Sequence, residues 1–411
     1  MAEGNHAGLL ASEQLMEFSS IVDTALTQQR ELLHAPDKRK SDKPLRGFSV
    51  REISHALRIK YNSLRQYLNT MPDMPSGTLE SGNRKLFTAE EINQILEVLF
   101  REGKITANRY PRRMEGDRQA RLVVYNLKGG VSKTSLSVNI AQFLALRGYR
   151  ILAVDLDPQA SFSDMFDIQA DLDRMPSIYD VLRYTDPETG EGPIPITEAI
   201  QATYVPNIDI VPGSMSMTEF EYETSASFRG TEDGTPFHRR IADALELVDD
   251  YYDLVIFDTP PHMSFAVIAA VFAATGMLIP LSAGMLDVVS LAKFLELAAG
   301  TMQVVEQHQD KRYDFIRFCL TRYSASDPAQ LQLSSFLRTH LGGAMLSHDF
   351  VSSTAIADAG NTMNPLLEIE PSNFHRKTYD RIFDSLSGIA DEVDAEIMRA
   401  WGRTPFERED S

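Results

Sequence analysis

The stretch 121–140, "RLVVYNLKGGVSKTSLSVNI", decides the fold. An apolar run, a turn holding Gly129 and Gly130, and a helix-length segment follow one another. In that order, the turn's backbone N–H groups and the helix start form a cradle for an anion. Lys133 is placed to reach terminal phosphates, and the Thr134 hydroxyl to bind Mg2+. The generic phosphate loop has Gly where this chain has Leu127 and Ser132, so the strict pattern fails. A second lysine, Lys128, opens the run. From residues 128–135 alone, a plain Gly-containing strand-to-helix turn stays open as a reading.

The rhythm continues outward. "RILAVDLD" (150–157), "NIDIVPG" (207–213), "DLVIFD" (253–258), "GMLIPL" (276–281) and "YDFIRFCLTR" (313–322) read as strands separated by helix-length stretches. Continuous apolar strands alternating with helices predict an α/β fold, a doubly wound, mostly parallel sheet covered on both faces. Ligands in such sheets bind at the strands' carboxyl ends. Asp155 and Asp157 lie there, and so does Asp258. A carboxylate ending a strand beside a phosphate loop is placed to hold Mg2+ or its water. One such residue is a weak signal. Three in this chain order are strong. The turn-rich stretches 183–196 and 224–236 read as loops.

The run 262–286, "HMSFAVIAAVFAATGMLIPLSAGML", has no charged residue and is long enough to span a membrane. Its two Gly, its Pro and its polar residues favour a buried helix (264–274) leading into a buried strand (276–281). Only one cysteine, Cys319, is present, so no disulfide or four-thiolate cluster forms within the chain. No signal peptide is recognisable, and a reduced cytoplasmic setting fits.

Charge divides the 411 residues unevenly. Residues 1–121 carry 19 Lys+Arg against 16 Asp+Glu, and the remainder 21 against 42, for a net −18. An N-terminal part that tolerates a polyanion is expected, joined to an acidic body. Residues 9–34 have a helical apolar stripe that needs a partner surface, its own chain or a twin. In "FSVREISHALRIKYNSLRQYL" (48–68), Ser49 and Glu52 have capping-box spacing, and two short helices with a tight turn suggest a helix-turn-helix. Arg58, Lys60, Asn62, Ser63, Arg65 and Gln66 are types that contact phosphates and base edges. Arg84 and Lys85 sit on a Gly turn placed like a wing, before a helix capped by Thr88 with Glu91. A small helical domain with solvated basic side chains is the competing reading. Basic residues from Arg101 to Arg121 read as a linker that touches DNA backbone. The expected organisation is a helix and linker (1–46), a winged helix-turn-helix domain (47–108), a basic linker (109–120) and a nucleotide domain (121–411).

"KGGVSKT", "VDLDPQAS", "VIFDTPP" and "MLIPLSAGMLDVVSL" together resemble the ParA/MinD family of deviant Walker-type ATPases. The resemblance covers roughly 121–400. It implies a phosphate loop at Lys128, Gly129, Gly130, Val131, Ser132, Lys133, Thr134 and Ser135. It also implies ATP/ADP and Mg2+ as cofactors, with Thr134 and Asp258 at the metal. Lys128 matches the signature lysine that reaches the partner's nucleotide across a dimer. Lys133 matches the lysine that binds phosphate in its own subunit. Asp157 matches the residue that positions the attacking water, and Asp155 a supporting one. Ser132 departs from the family's Gly. The N-terminal domain is similar to that of large plasmid ParA proteins, which repress their own operon. The segment 361–397 resembles the RepA subtype of repABC plasmid operons.

The resemblance implies a homodimeric partition ATPase, bacterial and nucleoid-associated when ATP-bound. It would bind DNA without sequence preference through basic side chains and be stimulated by a ParB/RepB-type partner. Arg317, Arg322, Arg376 and Lys377 are the candidates, with a solvated surface as the equal alternative reading of each. A membrane-cycling MinD-like reading needs a basic terminal helix, and "IADEVDAEIMRAWGR" is acidic on its polar face, so no membrane is expected. A non-enzymatic, nucleotide-sensing repressor is the remaining alternative.

Overall fold

The computed structural model describes residues 45–79, 84–186, 188–227, 235–306, 310–324, 326–351, 365–371 and 375–405, with 16, 20 and 24. The expected helix over 9–34 lies almost wholly outside the described residues. Leu45–Ser411 form one compact unit.

Its N-terminal part runs β1 (Phe48–Ser49), α1 (Val50–Ala56), α2 (Tyr61–Thr70), β2 (Thr78–Leu79), β3 (Lys85–Phe87) and α3 (Ala89–Arg101). The strands pair antiparallel in the order β1-β3-β2. Both expected capping boxes form. Ser49 N–H donates to Glu52 at 2.8 Å, and Thr88 N–H to Glu91 at 2.9 Å. Each satisfies donors that a helix start otherwise leaves open. Ile53, Leu64, Ile92, Ile95 and Leu99 are fully buried between these elements.

The larger sheet contains β4 (Ala120–Val124), β5 (Ile151–Asp155), β6 (Gln201–Ala202), β7 (Ile208–Val211), β8 (Leu254–Asp258), β9 (Gly276–Ser282), β10 (Phe315–Tyr323) and β11 (Phe350–Val351). Their order is β11-β10-β9-β4-β8-β5-β7-β6. Every pair is parallel except β6–β7, a short antiparallel edge. All of the expected strands form, and the two-residue β6 and β11 join them at the sheet's edges. The uncharged run folds as a helix, α6 (Phe265–Ala273), followed by β9. Among the described residues, no helix is long and apolar enough to cross a membrane. The stretch expected to loop from 224 is helical to Ser227, within α5 (Met217–Ser227).

Central β4 feeds α4 (Lys133–Leu146), in which every residue from Leu136 to Leu146 is buried. A helix apolar all round must be covered all round. The sheet covers one side and α8 (Arg376–Ala400) another. Gly148 closes α4 with φ +109, and a Cβ there would lie 2.2 Å from Leu96 on α3. Only glycine fits this backbone and this approach. The N-terminal part therefore packs directly on the helix that begins at the anion cradle.

Candidate nucleotide site

The loop between β4 and α4 is set by Asn126. Its buried amide donates to Pro280 O at 2.7 Å and accepts Lys128 N–H at 3.0 Å. Gly130 (φ +72) and Ser132 (φ +63) are left-handed. The usual Gly at position 132 is explained by that dihedral, and Ser adopts it here. Among the described residues, the backbone N–H groups of 129–135 donate to no protein acceptor, and the helical ladder first closes at Leu136 N–H to Ser132 O. Seven successive open donors around a helix N-terminus form a site for a multiply charged anion. Lys133 is buried, and its Nζ reaches back to Lys128 O at 3.1 Å. Burial lowers its pKa, while Asp258 and Asp157 oppose the shift.

The three strand-end carboxylates gather beside this loop. Thr134 Oγ1 donates to Asp258 Oδ2 at 2.6 Å, and Ser137 Oγ to Oδ1 at 2.9 Å. Asp258 is fully buried, and burial raises its pKa to about 6. Asp155 sits opposite Asp258 in the β5–β8 register. It accepts Asp157 N–H at 3.1 Å, and Ser163 N–H and Oγ at 2.9 and 2.8 Å. Burial first, then Asp258, pushes Asp155 up to about 8. Asp157 is half-buried and accepts Gln159 N–H at 2.9 Å, which holds its loop in a turn. Asp155 thus supports the segment that carries Asp157.

No cluster of three or more His, Cys, Asp or Glu suited to a metal occurs among the described residues. The Thr134 hydroxyl and Asp258 carboxylate are hard oxygen donors, suited to Mg2+, which keeps several waters and takes phosphate oxygens. The donors present therefore fit Mg2+ accompanied by a phosphorylated ligand.

Lys128 pairs through Nζ with Asp287, which also accepts Ser282 Oγ. Asp287 opens α7 (Met285–Glu306) after β9. No local sequence signal marks Asp287 for this pairing, since its partner lies 159 positions away. Ser137 was also missed, although it lies three residues from Thr134 on the same helix face.

The candidate DNA contacts divide. Asn62, Arg65 and Gln66 are exposed on α2, with Ser63 half-buried, Lys60 exposed before it, Arg84 exposed and Lys85 half-buried at β3. Arg58 differs from expectation. It is held within the chain by Asp391 and Asp394. Arg317 likewise donates to Glu396 at 3.1 and 2.9 Å. Arg322 donates to Gly130 O at 2.9 Å. Lys377 is exposed in the first turn of α8, and the Arg376 side chain lies outside the described residues. The basic stretch read as a DNA-touching linker is also engaged internally. Arg112 donates to Gly148 O, Arg113 holds Asp249, and Arg118 holds Asp314.

Comparison with known proteins agrees with this geometry. Residues 120–312 match the family described as AAA domain. A candidate replication protein A of Rhizobium rhizogenes is 34% identical over 367 residues, 88% of this chain and 89% of that one. The chromosome partitioning protein ParA of Caulobacter vibrioides is 26% identical over 248 residues, 60% of this chain and 85% of that one. A solved structure titled "Partition Protein" is similar in fold, with a TM-score of 0.59 at 15% identity, over 94% of this chain and 99% of that one. The chain belongs to the ParA family, in the branch of the repABC-type replication proteins A.

Proposed function

We propose that the chain is a partition ATPase whose ATP-bound form is a homodimer that binds DNA. The observation that carries the reading is the row of seven open N–H donors beside Lys133 and the Thr134–Asp258 pair. When bound, Mg2+ would neutralise charge on the phosphates. The chain's own residues supply the rest. Loop N–H groups and Lys133 hold the phosphates, Asp157 orients a water, and no covalent intermediate with the protein is needed. Lys128 is partly exposed at the mouth of the loop, which supports a role toward a second copy.

DNA engagement is proposed at two levels. Residues 47–108 would act as a winged helix-turn-helix that represses the chain's own operon, presenting Asn62, Arg65 and Gln66 from α2 and Arg84 from just before β3. Residues 109–120 would connect it to the nucleotide domain, 121–411. The dimer would bind DNA without sequence preference in the bacterial cytoplasm, and a ParB/RepB-type partner would stimulate hydrolysis. The test is ATP turnover by the full chain, alone, with DNA, and with DNA plus the partner. Strong stimulation by both supports partition. ATP binding without turnover in any mixture favours the nucleotide-sensing repressor.

A further inference from the structure

Arg322 stands out by its backbone. It has φ +54, a left-handed conformation that only a minority of non-glycine residues adopt. It also occupies a break in pairing. Thr321 pairs with Phe350 and Tyr323 with Val351, so β10 advances two residues while β11 advances one. Arg322 is the extra residue of a β-bulge, a device that re-aims a side chain.

In a regular strand, the side chains of 321 and 322 would point to opposite faces. Here both reach the same loop. Thr321 Oγ1 donates to Val131 O at 3.1 Å, and Arg322 Nη1 donates to Gly130 O at 2.9 Å. Two consecutive loop carbonyls are thus held by two consecutive strand residues.

The consequence follows from peptide geometry. No cis peptide occurs among the described residues, so the N–H after each of these carbonyls points the opposite way. Fixing Gly130 O aims the Val131 N–H away from β10, and fixing Val131 O aims the Ser132 N–H likewise. Both N–H groups belong to the row without a protein acceptor. A strained residue persists where its surroundings over-determine it, and such residues cluster at binding sites.

We propose that Arg322 is a positioning residue of the nucleotide site, acting through the Gly130 carbonyl to orient the Val131 N–H toward phosphate. This rests on the loop's being a nucleotide site. It places Arg322 in nucleotide binding rather than among the DNA contacts. The guanidinium is a charged donor to a neutral carbonyl, stronger than a neutral pair. Thr321 does the same for the Ser132 N–H from the neighbouring position.

The test uses the full chain with Mg2+ and a fluorescent ATP analogue, without DNA. Arg322→Ala should weaken binding about tenfold, and Arg322→Lys should recover part of that loss. Arg322→Gly relieves the left-handed backbone but lacks the donor. It should melt no lower than the wild type yet bind as weakly as Arg322→Ala. In turnover, KM should rise about tenfold with kcat within about twofold. Unchanged analogue affinity in Arg322→Ala and Arg322→Gly would overturn the proposal, and loss of DNA affinity alone would return Arg322 to the DNA surface. Failure of the wild type to bind the analogue would instead overturn the nucleotide-site reading.

Discussion

Arg58, in the turn between α1 and α2, and Asp394, on α8, form a largely buried ion pair 336 residues apart in sequence. Arg58 also donates to Asp391 at 3.0 and 2.8 Å. Arg147, just past α4, reaches Asp391 at 2.7 Å, and Tyr149 OH donates to Asp394 at 2.5 Å. Burial alone would lower the pKa of Arg58, but Asp394 and Asp391 outweigh it and raise the pKa. Arg58 is therefore a structural tie between the N-terminal part and the nucleotide layers. Arg58→Ala would take the cationic partner from buried Asp394, leaving only the Tyr149 hydroxyl described there, and one of two described cations from half-buried Asp391. It should cost about 3–5 kcal/mol in urea unfolding. A loss of DNA affinity with unchanged stability would contradict this assignment.

Ser132 holds φ +63 and ψ +32 at the start of α4. The left-handed well costs a non-glycine residue about 1–2 kcal/mol. Ser132→Gly should therefore stabilise the chain by about 1 kcal/mol, less whatever the freer unfolded chain takes back. A denaturant midpoint unchanged or lowered would show that the serine hydroxyl has a compensating contact.

Lys133 opens α4 and Asp157 follows β5, and their losses should differ. Lys133→Ala should abolish ATP binding in a filter or fluorescence titration. Asp157→Ala should bind ATP as the wild type does, while single-turnover hydrolysis falls by on the order of 100-fold or more. Equal loss of binding in both would remove the water-orienting role from Asp157.

Lys128 is held by Asp287 within its own chain. If it also serves a second copy's nucleotide, Lys128→Ala should lose partner-stimulated turnover by on the order of 100-fold. Stimulated turnover at the wild-type level would rule out the cross-dimer role.

Lys311 reports on pH. Its Nζ donates to Ala274 O and lies over the Phe272 and Tyr313 rings. Burial first, then Arg121 and Arg118, lowers its pKa from 10.5 to about 8. Between those values the unfolded chain binds more protons than the folded one. The lysine's penalty is full below pH 8 and fades as the pH rises toward 10.5. Lys311→Met should stabilise at pH 7, and its advantage should shrink by pH 10. An advantage constant across that range would mean that Lys311 is not depressed.

The sequence by itself determined the alternation of strands and helices, the cradle at 128–135, and the carboxylates at strand ends. It also determined the caps at Ser49 and Thr88. These are local signals. An apolar run, a Gly turn or a capping box is written within a few residues, and the backbone responds at the same scale. The tertiary structure decided which charged groups meet. Lys128 finds Asp287 159 positions away, and Arg58 finds Asp391 333 positions away. No periodicity encodes such pairs, because each depends on how strands and helices pack. Arg322 is the clearest case. Its side chain reaches the loop from the position where β10 falls out of step with β11.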